Sequence, residues 1–180
     1  EVTNFCGYEK DSCMSNLIKI IKDGQEVKYV NKNDKVILIF NKTPFYAESG
    51  GQVGDSGEIF DKNNELVGVI NDTKKIGEGI YLHFVEKCFK RINLKDKYLL
   101  QINKFRRNKI RNNHTATHLL HWALHQVVSP ETSQQGSSVT PERLRFDFNA
   151  SALNAQQIDE IETRVNHCIQ NKDAINWTEL

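Results

Sequence analysis

Four glycines in eight residues, Gly50, Gly51, Gly54 and Gly57, close the segment Thr43-Pro-Phe-Tyr-Ala-Glu-Ser-Gly-Gly-Gln-Val-Gly-Asp-Ser-Gly57. A phosphate loop of the dinucleotide or P-loop kind needs a helix directly after its glycines, because the helix N-terminus receives the phosphate. Here Glu58-Ile59-Phe60 follows, then a polar turn from Asp61 to Glu65, then the apolar run Leu66 to Ile70. That is strand, turn, strand, and the phosphate-loop reading is rejected. The glycines read instead as tight turns and bulges of a small barrel. The Gly50-Gly51 pair also leaves room for a close backbone approach to a ligand.

The flanking sequence supports a barrel. Leu17 to Ile21 and Val27 to Val30 flank Asp23-Gly24, a hairpin signal because glycine takes positive φ without steric cost. Val36 to Phe40 is a short, wholly apolar run and reads as a buried strand. Asn71 to Gly79 reads as a polar loop, Ile80 to Val85 as a strand with His83 at the surface or rim, and Tyr98 to Ile102 as the last strand. About six short strands separated by turn signals predict a β-barrel rather than a βαβ fold. Residues 1–16 are weakly patterned, with Phe5, Tyr8 and Met14 as the expected anchors.

At Lys104 the character changes. Lys104, Arg106, Arg107, Lys109 and Arg111 bring five positive charges in eight residues with no acid among them. They read either as a solvated helix face or as a contact for a polyanion. The cluster runs into Asn113 to Val128, which holds four of the six histidines: His114, His118, His121 and His125. Steps of +4, +3 and +4 return them to nearly one helical face, with Ala116, Leu119, Leu120, Ala123, Leu124 and Val127 opposite. The apolar face must be buried; the imidazole face lines a cleft or meets solvent. His114 and His118, one turn apart, can reach one metal ion, although two imidazoles do not close a site. The intervening Thr115, Ala116 and Thr117 lack the glutamate of a zinc protease. The alternative is a pair of inert, hydrogen-bonded polar residues.

Ser129-Pro130 ends this helix. Gln134 to Thr140 and Leu144 to Phe148 read as strands, the second with Leu144, Phe146 and Phe148 on an apolar face. Asn154 and Gln157 form a capping box for a last helix whose buried stripe is Ile158, Ile161, Val165, Cys168 and Ile169. Cys168 is assigned to packing and His167 to solvent. Ala174 to Trp177 begins another strand. The expected organisation is α+β: residues 1–103 a β-barrel with its N-terminal connection, residues 104–180 the first half of an α/β core.

At 180 residues, one domain or two small ones fit. A net charge of +1 gives no bulk attraction to nucleic acid or membrane, so any such role rests on a local patch. Cys6, Cys13, Cys88 and Cys168 show no CxxC spacing, which suits a reduced cytoplasmic compartment. No signal peptide or bilayer-length apolar run is present. The chain starts at Glu1 and stops just after a candidate strand, so it reads as a piece of something longer.

Taken together, the segment 43–57, Arg106-Arg107, Asn113-His-Thr-Ala-Thr-His-Leu-Leu-His121, Gln134-Gln-Gly-Ser137, Val139, Pro141 and Arg143-Leu-Arg-Phe-Asp-Phe148 resemble the editing region of the alanyl-tRNA synthetases. Order and spacing agree from about residue 43 to 148. Phe5-Cys-Gly-Tyr-Glu9 resembles the stretch joining that family's tRNA-binding middle region to its editing domain. The resemblance implies a small β-barrel followed by a truncated editing core of the type shared with threonyl-tRNA synthetase. The implied parent ligates alanine to its tRNA with ATP and magnesium in a catalytic domain outside these residues. The implied role of this region is hydrolysis of mischarged seryl- or glycyl-tRNA(Ala). His114 and His118 would be two zinc ligands, the other two coming from a Cys-x-x-x-His motif that does not occur here. Thr117 and Gln134 would line the substrate pocket. Ser129-Pro-Glu-Thr132 departs from the family's Gly- and His-containing connection. Arg106, Arg107, Lys109 and Arg111 would approach the phosphates of the tRNA(Ala) acceptor end. A free-standing trans-editing deacylase and a catalytically silent RNA-binding module are the competing readings. Oligomeric state is not legible.

Overall fold

Alternating apolar residues and local turn chemistry generate the first half of the molecule, seen in a computed structural model that describes residues 2–171. The short β1 (Asn4–Phe5) is followed by β2 (Ser12–Lys22), which turns through Asp23 and Gly24 into β3 (Gln25–Val27). Both turn residues have positive φ, 51° and 77°, and Lys22 pairs with Gln25, as a two-residue hairpin requires. Next come β4 (Tyr29–Val30), β5 (Val36–Phe40), β6 (Lys42–Thr43), β7 (Gly57–Phe60), β8 (Leu66–Ile76), β9 (Ile80–Cys88), β10 (Ile92–Asn93) and β11 (Lys97–Ile102).

Six of these strands form a closed antiparallel ring, β11-β7-β8-β9-β5-β2, with β2 returning to pair with β11. Alternation fills its interior. On β11, Tyr98, Leu100 and Ile102 point in while Lys97 and Gln101 face water. Leu17, Ile20, Leu38, Phe40, Ile59, Ile70 and Leu100 are wholly buried there.

Gly57 permits the β7–β11 approach. A Cβ at Gly57 would stand 2.8 Å from the Ile102 Cα and would collide with the Gln101 carbonyl. Backbone atoms cannot swing aside, so Gly57→Ala is expected to cost about 1–3 kcal/mol, read as a lowered thermal unfolding midpoint.

Three sequence expectations are corrected in this half. Strand β8 runs on to Ile76, through what reads as a polar loop, because the β8–β9 hairpin keeps pairing up to Ile76↔Ile80. Its residues are polar where the ribbon is exposed; Thr73 alone of them is wholly buried, donating through its hydroxyl to the Asp55 carbonyl at 3.0 Å. Tyr8 and Met14 are not anchors, being 86% and 53% exposed. Phe5 holds the N-terminal segment instead, stacked on Tyr81 with ring centroids 5.7 Å apart.

The chain divides into two compact units, Glu1–Arg107 and Asn108–Leu180. The division falls inside α1 (Lys104–Val127), since Arg107 is packed within the first unit. The second unit adds the hairpin β12 (Gln134–Val139) and β13 (Leu144–Phe148), then α2 (Ala155–Asn171). Asn154 and Gln157 cap α2 reciprocally: the Asn154 amide donates to Gln157 Oε1 at 3.1 Å and the Gln157 amide to Asn154 Oδ1 at 2.9 Å. Ala123, Leu124, Phe146 and Ile161 form this unit's core. The α2 stripe is only partly buried, correcting the expectation: Ile161 is covered, whereas Ile158 and Ile169 are half exposed. Ala174 to Trp177 lies outside the described residues. The described residues form a mixed α+β arrangement with a six-stranded closed barrel and two helices. None of the described helices is long and apolar enough to cross a membrane.

Candidate functional site

Helix α1 delivers the candidate residues. The +4 step sets the His114 and His118 rings side by side, centroids 5.0 Å apart and planes inclined by 31°. His114 is half-buried and His118 exposed. Burial, helped by the neighbouring His118, holds the His114 pKa below its ordinary value, which favours the neutral imidazole a metal needs. Among the described residues no cluster of three or more His, Cys, Asp or Glu is placed to hold a metal ion. Among the described residues, His114 and His118 are brought together as a pair without a third such group.

The four-histidine face is divided rather than continuous. His121 and His125 have ring centroids 4.3 Å apart, and both Nε2 atoms turn to the carbonyl of Thr132, at 3.3 and 2.6 Å. His121 also packs on Phe146, 5.2 Å between centroids. Thr132 is buried, and its hydroxyl has no hydrogen-bond partner among the described residues. Thr117 is buried too, its hydroxyl donating back to the Asn113 carbonyl at 2.9 Å. The Asn113 amide in turn donates to the Thr140 carbonyl at 2.8 Å, which fixes the helix to the end of β12. Gln134 is exposed at the start of β12, its amide donating to Ser137 Oγ at 3.0 Å. No hydrogen bond joins Gln134 to Thr117 among the described residues.

The basic cluster also divides. Arg107 lies inside the first unit. Its Nε donates to both Asp55 carboxylate oxygens at 2.9 and 2.8 Å, its Nη2 joins the same carboxylate, Nη1 reaches the Gly7 carbonyl and Nη2 the Pro44 carbonyl, each at 2.9 Å. This side chain is committed to an internal ion pair and presents nothing to a polyanion, contrary to the expectation for it. Arg106 donates to the Gly54 carbonyl at 2.7 Å and stays half-exposed, while Lys109 and Arg111 are exposed.

Residues 1–106 match the family model described as tRNA synthetases class II (A). The chain belongs to the class II tRNA synthetases. Three curated relatives are alanine–tRNA ligases of Legionella pneumophila: strain Paris is 46% identical over 165 residues, strain Lens 45% and strain Corby 44%. Each match covers 91% of this chain and 19% of the relative, so the chain spans about a fifth of the length of the ligases it matches.

Two features of this synthetase chain escape sequence reasoning. Asp55, which seats Arg107, sits fifty-two positions away from it, and no local pattern pairs them. His83, expected at the rim, is wholly buried. It lies between the Leu38 carbonyl (Nδ1, 3.0 Å) and the Thr43 hydroxyl (Nε2, 2.7 Å). A carbonyl can only accept, so Nδ1 carries the proton and Nε2 accepts from Thr43. The alternation around Leu82 and Phe84 was the available signal: an odd position on β9 is inward-facing as readily as outward.

Proposed function

We propose that this chain is part of an alanine–tRNA ligase and belongs to the region that removes serine or glycine wrongly esterified to tRNA(Ala). The observation that carries this reading is the side-by-side pair His114 and His118 on one helical turn. Those two imidazoles would hold a zinc ion whose remaining ligands lie elsewhere in the parent protein. Bound zinc supplies Lewis acidity at the ester carbonyl or at a water. The chain's own residues do the rest. The Thr117 hydroxyl and the Gln134 amide would hydrogen-bond the substrate, and a polar pocket of that kind separates serine from alanine by the added hydroxyl. Arg106, Lys109 and Arg111 would meet acceptor-end phosphates, the unpaired end being recognised by stacking and backbone contacts. ATP and magnesium would serve aminoacylation elsewhere in the same protein, with the cytoplasm as its compartment.

The test is deacylation of seryl-tRNA(Ala) by the full-length ligase carrying this sequence, as wild type, His114→Ala and His118→Ala. Each variant is expected to lose about ten- to a hundredfold in deacylation rate and to retain less zinc after dialysis, while alanylation is kept. Equal deacylation by all three would leave the helix a structural element of an RNA-binding module. The 180-residue chain by itself is expected to retain no stoichiometric zinc, since two imidazoles are half a tetrahedral site.

A further inference from the structure

His121 and His125 form a second helical pair, and its rings converge on a peptide oxygen. Their centroids are 4.3 Å apart, closer than the 5.0 Å of His114 and His118. Both Nε2 atoms face the Thr132 carbonyl oxygen, at 3.3 and 2.6 Å. The Phe146 ring packs against His121. Both histidines are half-buried, so the pair is sheltered yet reachable from solvent.

Neighbouring residues hold Thr132 in place. Its amide donates to the Ser129 carbonyl at 3.0 Å, the Glu131 amide to Ser129 Oγ at 3.1 Å, and the Asn149 amide to the Ser133 carbonyl at 3.3 Å. Thr132 is 3% exposed, and its covered hydroxyl meets no hydrogen-bond partner among the described residues. A buried hydroxyl left in that state calls for a group that completes it.

The spacing of the donors suits a metal ion. Imidazole nitrogens and protein oxygens stand about 2.1 Å from a bound divalent ion, so neighbouring donors on one ion are roughly 3.0–3.4 Å apart. His121 is already at that separation from the carbonyl, and His125 needs to move outward by roughly half an ångström. A ring whose Nε2 is unprotonated meets the carbonyl lone pair to lone pair, and a cation between them turns that repulsion into coordination.

We propose that His121, His125 and Thr132 form a nickel(II) site, separate from the His114–His118 pair. Its donors are two Nε2 atoms and the carbonyl and hydroxyl oxygens of one threonine, which can chelate a single ion. Each ring keeps its proton on Nδ1. A mixed nitrogen and oxygen set of this kind suits nickel(II) or copper(II). The free cysteines would reduce copper(II), which leaves nickel(II) as the ion that fits. Once bound, it ties the last turns of α1 to the residues just before β12.

The experiment titrates nickel chloride calorimetrically into the whole chain carrying His114→Ala and His118→Ala, which removes the other imidazole pair. One nickel is expected to bind. Adding His121→Ala or His125→Ala should weaken binding about a hundredfold, and Thr132→Val, which keeps the carbonyl and the shape, about tenfold. Far-ultraviolet dichroism confirms that each variant is folded. In the unsubstituted chain, high-spin nickel(II) should broaden the nuclear magnetic resonance signals of the Thr132 methyl group and of both rings, a reading that needs no variant. No uptake by the His114→Ala, His118→Ala chain would overturn the proposal. So would uptake that survives loss of both His121 and His125, affinity unchanged in Thr132→Val, or broadening that spares the Thr132 methyl.

Discussion

Arg107→Met is expected to remove about 3–5 kcal/mol of folding stability, because it strands the Asp55 carboxylate in the interior without its counter-charge. Asp55 is 2% exposed, and apart from the guanidinium its side chain is met by the Tyr46 amide at 2.7 Å. The same substitution removes the donors of the Gly7 and Pro44 carbonyls, which with Asp55 are three segments distant in sequence that the guanidinium fork gathers at one point. Arg107→Lys should recover only part of the loss, since an ammonium cannot span a carboxylate and two carbonyls in one plane. Asp55→Asn should lose a comparable amount, and the double variant should cost less than the sum of the two, as coupled sites do. Urea unfolding followed by tyrosine fluorescence excited at 275 nm and far-ultraviolet dichroism checks this, since the first unit carries tyrosines and no tryptophan. A loss under about 1 kcal/mol for Arg107→Met would place the pair among weak surface contacts.

Acid should destabilise the first unit through His83. Full burial lowers this histidine to about 4 from its ordinary 6.5, only partly opposed by the Leu38 carbonyl. Above 6.5 both folded and unfolded chains hold it neutral, and its contribution is complete. Below 6.5 the unfolded chain takes up a proton that the folded chain refuses, so stability falls with pH until about 4, where the folded form also protonates. The loss over that window is about 3 kcal/mol, at roughly 1.4 kcal/mol for each pH unit between the two values. His83→Gln should lower stability at neutral pH, because it disturbs the Leu38 and Thr43 hydrogen bonds, and should flatten the dependence between pH 6.5 and 4. Unfolding free energies measured at intervals across that range decide it; an equal slope in both proteins would remove His83 as the cause.

What can be read from the sequence follows the distance over which each feature is decided. The Asp23-Gly24 turn, the Val36–Phe40 strand and the Asn154–Gln157 cap depend on neighbours within a few positions, and they stand as expected. The His114–His118 juxtaposition is of the same kind, since the helical pitch alone sets it. The division of the histidine face is not, because it needs Thr132 to return beneath His121 and His125 after the chain has turned at Pro130. Likewise the polar run 71–76 is a strand only because Ile80 to Phe84 lies beside it, and Arg107 is internal only because Asp55 is. Charge runs and polar stretches carry no record of the partner that arrives from elsewhere.

Closure of the ring has a consequence for synthesis. The strand that begins it, Ser12–Lys22, is sealed by the last one, Lys97–Ile102, through pairs such as Leu99↔Met14. On the ribosome the early strand emerges with no mate for one of its edges until some eighty further residues have been added. An unpaired edge beside an open apolar interior is a template for association with other nascent chains. Ribosome pausing before Lys97–Ile102 has emerged should therefore raise the share of this protein captured by co-translational chaperones, and pausing after that strand has emerged should not.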